Sequence, residues 1–222
     1  MKNYPERSKW EPVKNMMGDR EVFLGKHLSY QFYKSPRRIL HMMSYYKFAS
    51  KLIGRGKNVL DIGCGEGLGT WLLAVECGQA KGIDTDSEAV KVGKSNWKDA
   101  RISFESSDFL KIKQKAFDAV VNFDVIEHIL PENSARFFKK ISECLVHDGI
   151  AIIGTPNITS DQYASPVTRK GHVNIYSGER LEEEMKKYFH HVFMFGANDE
   201  VVHTGFLPMA HYLIAVGCRK VQ

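Results

Sequence analysis

An α/β architecture, with a doubly wound and mostly parallel sheet behind a helical N-terminal cap, is the fold class that this 222-residue chain predicts. Three observations carry it. A short apolar run, Lys57 to Ile62, is followed at once by closely spaced glycines and then by a helical periodicity at Leu68, Trp71, Leu72 and Val75. Further short apolar runs, each ending in an acidic or amide residue, recur at the spacing of βαβ units. Residues 1–56 hold no such run, only basic, aromatic and helix-compatible segments such as Tyr30–Tyr33 and His41–Phe48.

The chain therefore divides into a basic arm, 1–56, and a core, 57–222, within one domain. The arm holds 12 Lys/Arg against 4 Asp/Glu, whereas the core holds 19 against 22, so the arm carries the whole positive balance. A cap of this charge over a ligand crevice suits a small anionic acceptor. A solvated face that keeps the protein soluble fits the same charges. Nucleic acid is disfavoured, because Arg37-Arg38 is the one adjacent basic pair in the arm and no RNA-binding signature is present. Tyr45 and Tyr46 line the crevice entrance or fill the core.

The first strand ends at Val59-Leu-Asp-Ile-Gly-Cys-Gly-Glu-Gly, a strand-to-helix turn in which glycine permits positive φ and close approach of a ligand. The helix N-terminus beyond it offers unpaired N–H groups and partial positive charge. A dinucleotide fingerprint needs Gly-x-Gly-x-x-Gly, but counting from Gly63 and Gly65 the third position is Leu68. Asp61 also opposes a pyrophosphate and welcomes an ammonium group, an order that favours S-adenosylmethionine. A glycine turn with no ligand is the plain alternative. Asp84 closes a second strand 23 residues after Asp61, where it can chelate two ribose hydroxyls. Ile102–Phe109 reads as a third strand and its loop, with Asp108 placed to accept from an adenine amino group and Phe109 to lie on the ring. Phe117–Asp124 gives a fourth strand and Asp148–Asn157 a fifth, with an antiparallel strand after His190-His191.

Over residues 42–217 the chain resembles the class I S-adenosylmethionine-dependent methyltransferases. The resemblance rests on the glycine turn, Gly82-Ile-Asp84, Ser107-Asp-Phe109, Phe117-Asp-Ala-Val-Val, Val125-Ile-Glu-His128 and Leu145-Val-His-Asp-Gly149, and is nearest to small-molecule O-methyltransferases of the ubiquinone-biosynthesis type and their sugar and polysaccharide relatives. It implies a seven-stranded Rossmann-like sheet, S-adenosylmethionine as cofactor, and cofactor contacts at Asp61, Gly63, Gly65, Asp84, Asp108, Phe109 and Asn122. Asp148-Gly149 departs from the two glycines such enzymes often carry, at a turn. The implied reaction is methylation of a hydroxyl on a sugar, nucleotide-sugar or polysaccharide precursor, with a quinone-pathway phenol as the alternative.

Methyl transfer needs an aligned acceptor oxygen and removal of its proton. Asp124-Val-Ile-Glu127-His128 leaves the fourth strand into the next helix, where spacings of three and four place the three polar side chains near one face. His128 serves as catalytic base, its unperturbed pKa of about 6.5 making it available near neutrality. His172, in Gly171-His-Val-Asn-Ile-Tyr176, orders a loop over the acceptor. The same pattern resembles the metal site of small-RNA 2′-O-methyltransferases, in which Asp124, Glu127, His128 and His172 hold a divalent ion, and such mixed ligands suit magnesium, manganese or iron(II). A helix cap without any ion is the simpler account. Rival classes are a nucleotide-sugar dehydrogenase or epimerase, opposed by the broken register, and a non-catalytic adenosyl-ligand-binding module.

Composition agrees with one enzyme domain, since 43% hydrophobic content over this length can bury a sizeable core. Cys64, Cys77, Cys144 and Cys218 lack paired or metal-ligand spacing, which favours reduced thiols. No segment has signal or membrane-span character, and the cytoplasm is the expected location.

Overall fold

The computed structural model describes residues 7–113 and 116–221, so the first six residues of the expected arm lie outside it. Three helices come first, α1 (Arg7–Met17), α2 (Gly25–Lys34) and α3 (Arg37–Ile53). The sheet-forming half then runs β1 (Lys57–Ile62), α4 (Leu68–Cys77), β2 (Gly78–Asp84), α5 (Ser87–Asn96), β3 (Ile102–Ser106) and β4 (Phe117–Phe123). It continues with α6 (Ser134–Cys144), β5 (Leu145–Pro156), α7 (Pro166–Gly171), α8 (Gly178–Lys186), β6 (Phe189–Asn198), β7 (Val201–His203) and β8 (Tyr212–Lys220).

The strands form one sheet in the order β3-β2-β1-β4-β5-β8-β6-β7. β1 to β5 pair in parallel, and β8 joins β5 and β6 antiparallel. The described residues thus hold eight strands rather than seven. The additional one, β7, is a three-residue edge paired with β6, too short to leave an apolar pattern in the sequence.

Successive strand side chains point to opposite faces, and both faces are covered. Val59, Val121 and Ile152 pack with Ala49 of α3 and Leu73 of α4. Leu60, Val120 and Ile153 pack on the other face with Phe137, Phe138 and Ile141 of α6 and Met185 of α8. Burial on both sides is why these strands read as continuous apolar runs, and each such side chain contributes about 1.5–3 kcal/mol. The strand order reverses between β1 and β4, which opens a crevice at their C-terminal ends.

The basic arm divides in two. α3 buries Tyr45, Tyr46, Ala49 and Ile53 and is built into the core, while α2 buries only Gly25 and Leu28. Residues 9–23 are exposed throughout.

After β4 the structure corrects one expectation. No α-helix starts at Asp124. Asp124 adopts φ +56°, and Ile126–His128 is a single 3₁₀ turn, followed by another at Pro131–Asn133 before α6 begins. The spacing of three and four therefore does not set Asp124, Glu127 and His128 on one helical face.

Candidate active site

A cavity of about 1240 Å³ opens over the crevice, lined by α2, α3, the glycine turn, the ends of β2 and β4, the 156–172 segment and the start of β8. Pockets for a single small ligand commonly measure about 300–1,000 Å³, so two ligands can lie here side by side.

At one end stands the glycine turn. Gly63 has φ +78°, and a Cβ there would lie 2.1 Å from Val125 Cγ2, so only glycine fits. Gly65 has φ +51° and open space where its Cβ would be, leaving the backbone bare to a ligand. Asp84 shapes the turn, its two oxygens accepting from the N–H groups of Gly65 and Asp86, each at 2.8 Å. Asp86 in turn caps α5 by accepting from Glu88 and Ala89. The first turn of α4 has no side-chain cap, and Leu68 and Gly69 line the cavity, so its N–H groups face the ligand space.

Gly63, Gly65 and Asp84 are brought to the cavity wall, where they can hold the methionine and ribose parts of an adenosyl ligand. Asp61 is fully buried beneath the turn, accepting from Thr70 Oγ1 at 2.5 Å and Tyr46 Oη at 3.0 Å. Burial pushes its carboxyl up to about 7 against the lowering effect of those two bonds. Asn122 lies buried behind the wall and donates to the Ile62 carbonyl at 3.1 Å. Asp108 accepts from the Leu110 N–H to cap a 3₁₀ turn, and Phe109 is buried against Phe137, ring centroids 5.3 Å apart. Neither of these two side chains joins the cavity lining; the Phe109 ring gains more from the core than from an exposed ligand face.

At the other end, Glu127, His128 and His172 offer one ligand atom each, all within 4.8 Å of one another. Asp124 lines the same cavity but is not part of that cluster. Thr155 Oγ1 donates to Glu127 Oε2 at 3.1 Å, whereas Oε1 is buried without a partner. Burial, with Asp124 nearby, pushes the Glu127 carboxyl up to about 8. His128 is exposed to the cavity, and its Nδ1 lies 2.8 Å from the Gly171 carbonyl. A carbonyl only accepts, so Nδ1 carries a proton, and in the neutral ring the lone pair is on Nε2. The His172 ring stands edge-on to it at 5.0 Å, its pKa lowered by burial and by His128.

The lining holds seven carboxylates and one Lys or Arg, Arg38. The surplus positive charge of the arm therefore does not converge on this cavity, whose field favours cationic and neutral ligands. The sulfonium and ammonium groups of S-adenosylmethionine match it.

Several contributors escaped sequence reasoning. His27 pairs with Asp86 at 2.9 Å, and its backbone N–H donates to Glu66 Oε1 at 2.7 Å, which ties α2 to the glycine turn. The Asp86-Ser-Glu88 cap signal was available; its link to His27, 59 residues away, was not. Tyr212 and His41 also line the cavity.

Comparison with known proteins agrees with this geometry. Residues 33–188 match the Methyltransferase domain family. A Mycobacterium tuberculosis protein named a probable S-adenosylmethionine-dependent methyltransferase is 32% identical over 117 residues, covering 53% of this chain and 41% of its own length. The mitochondrial ubiquinone biosynthesis O-methyltransferase of Arabidopsis thaliana is 27% identical over 164 residues, covering 71% and 47%. The matched stretches thus span less than half the length of either relative. Among solved structures, a TehB-like S-adenosylmethionine-dependent methyltransferase from Corynebacterium glutamicum superposes with a TM-score of 0.64 at 19% identity, covering 85% of this chain and 96% of that one. With its parallel sheet, glycine turn and acid-lined crevice, the chain belongs to the Methyltransferase domain family, in the class I S-adenosylmethionine-dependent group.

Proposed function

We propose that the chain transfers the methyl group of S-adenosylmethionine to a hydroxyl of a small, neutral, polyhydroxylated acceptor of the sugar class. The observation that carries this reading is His128, whose Nδ1–H is held by the Gly171 carbonyl so that Nε2 faces the cavity as a proton acceptor. In the reaction the acceptor oxygen attacks the methyl carbon in line with the C–S bond. That bond breaks, its electrons stay on sulfur to give S-adenosylhomocysteine, and the hydroxyl proton passes to Nε2. The acceptor side is lined by Ser160, Asp161, Ser165 and Thr168, groups that complement several hydroxyls, and its negative field disfavours an anionic acceptor.

A phenol of a quinone pathway is the second reading, supported by the ubiquinone-biosynthesis relatives. A screen of sugars and phenols with methyl-labelled cofactor distinguishes them; label on phenols alone overturns the sugar assignment. Glu127, His128 and His172 also fit a divalent ion in donor type, the unpartnered Glu127 Oε1 and the free His128 Nε2 being available to it. Bound there, an ion would lower the pKa of an acceptor hydroxyl. Turnover insensitive to a chelator removes the ion and leaves His128 as base.

A further inference from the structure

We infer that Asn174 is a positioning residue for the base, pinning the 171–174 segment so that its backbone fixes the tautomer and direction of the His128 ring. The inference deepens the methyl-transfer reading with His128 as base, and rests on it. His128 sits on a single 3₁₀ turn after a left-handed Asp124, with the His128 and Ile129 N–H groups closing on the Val125 and Ile126 carbonyls. One four-residue stretch then grips this turn with three bonds. The Val173 and Asn174 N–H groups donate to the Glu127 carbonyl at 2.9 and 3.0 Å, and the Gly171 carbonyl accepts from His128 Nδ1 at 2.8 Å.

The hydrogen bond at one ring nitrogen decides which nitrogen carries the proton, so the ring is only as well defined as the carbonyl that holds it. That carbonyl belongs to an irregular connection between the end of α7 and the start of α8, which has no ladder of its own to fix it.

The Asn174 side chain supplies the missing order. It is 2% exposed. Nδ2 donates to Ser134 Oγ at 2.9 Å and to Tyr176 Oη at 3.2 Å, while Oδ1 accepts from Arg180 Nη2 at 2.7 Å. A guanidinium only donates, which settles which end of the amide is oxygen. Ser134 opens α6 and Arg180 lies on α8, two helices anchored in the core by Phe137, Phe138, Leu181 and Met185. Arg180 is itself fixed, donating to Glu184 Oε1 at 2.9 Å and to the Ile175 carbonyl at 3.2 Å, with its guanidinium 4.1 Å from the centre of the Tyr176 ring. One buried amide thus passes the position of two core helices to the turn that carries the base. Asn174 does not line the cavity, so its effect on turnover passes through that turn.

The test is NMR of the 222-residue chain labelled with ¹⁵N-histidine, the His128 signals being identified by their absence from His128→Ala. The wild-type neutral ring should be almost entirely Nδ1–H, and Asn174→Ala should give a mixture of both tautomers while S-adenosylhomocysteine affinity stays unchanged and shows that the variant is folded. This readout needs no acceptor. On the acceptor returned by the labelled-cofactor screen, Asn174→Ala should lower kcat about ten- to a hundred-fold, with no further loss when it is added to His128→Ala. If Asn174→Ala does not fold, Ser134→Ala decides, since it deletes one of the three side-chain bonds with little volume and should shift the tautomer part-way. A wild-type Nε2–H ring, a wild-type tautomer in the folded variant, or additive kcat losses in the double variant overturns the inference alone. Unchanged turnover in His128→Ala overturns the base reading, and the inference with it.

Discussion

At the proposed cofactor end of the cavity, Asp84 accepts two backbone N–H groups and Asp61 two hydroxyls, so both carboxylates are held before any ligand arrives. At the proposed acceptor end, Glu127 Oε1 is buried without a hydrogen-bond partner and Asp124 sits in the left-handed region, while Tyr212 Oη has the Asp124 carboxyl beside it and His41 Nε2 lies 3.5 Å from Asp199 Oδ1. Asn122 Oδ1, also buried without a hydrogen-bond partner, lies on β4 between the two ends. A buried polar atom left unpaired costs about 1–3 kcal/mol, and strained backbone persists where surrounding structure enforces it. One end is thus complete in itself, and the other is completed by what binds there.

The largest effect that tests this division is His128→Ala. With the base gone, kcat should fall by about 10²–10⁴, while calorimetric affinity for S-adenosylhomocysteine is unchanged. Loss of cofactor binding in this variant would show that the two ends are one unit.

The second effect concerns pH. The folded-state pKa of Asp61 is near 7 against an ordinary 3.8. Between about pH 4 and 7 the folded chain keeps a proton that the unfolded chain has released, so stability falls as pH rises through that window and levels above it. The ceiling on this change is about 4 kcal/mol, at 1.36 kcal/mol per pKa unit. Glu127, raised to about 8, acts in the same direction, so the diagnostic quantity is the difference between wild type and Asp61→Asn in denaturant melts. A wild-type slope no steeper than that of Asp61→Asn would show that Asp61 ionises freely in the ligand-free protein.

Asp84→Ala should come third, weakening S-adenosylhomocysteine by roughly 1.5–3 kcal/mol through loss of charge-assisted bonds. Without Asp84 the Gly65 and Asp86 N–H groups also lose their acceptor, so the turn itself loosens. Unchanged affinity on calorimetry would mean that the preformed end does not hold the ribose.

The same contrast explains what the sequence disclosed. β1, the glycine turn and Asp84 are contiguous or one βαβ unit apart, and strand period with glycine φ is local physics, so both could be read directly. The acceptor end is assembled from 124–128, 155–172 and 211–212 by long-range packing. The segment 124–128 was misread as helix because spacings of three and four look the same in a 3₁₀ turn. Pro131, at the first position of the turn before α6, signalled the later start. An aromatic after a loop aspartate fits a ligand face and a core equally well in sequence, and the Phe109 ring packs against Phe137 outside the cavity lining.

The smallest effect is Tyr46→Phe. The ring packs over Gly69, where even a Cβ would come within 2.1 Å of it, and edge-on to Phe123 at 5.0 Å; phenylalanine keeps both contacts. Only the hydroxyl donated to Asp61 is lost, a change of about 1 kcal/mol, and Thr70 continues to hold the other oxygen. Because that bond lowers the Asp61 pKa, its removal should move the pH window of the stability loss upward. If the hydroxyl acts through Asp61, the affinity loss for S-adenosylhomocysteine should shrink when Tyr46→Phe is combined with Asp61→Asn. Additive losses in that double-mutant cycle would mean instead that Tyr46, which lines the cavity, touches the ligand directly, and that the cofactor end is less complete before binding than its hydrogen bonds imply.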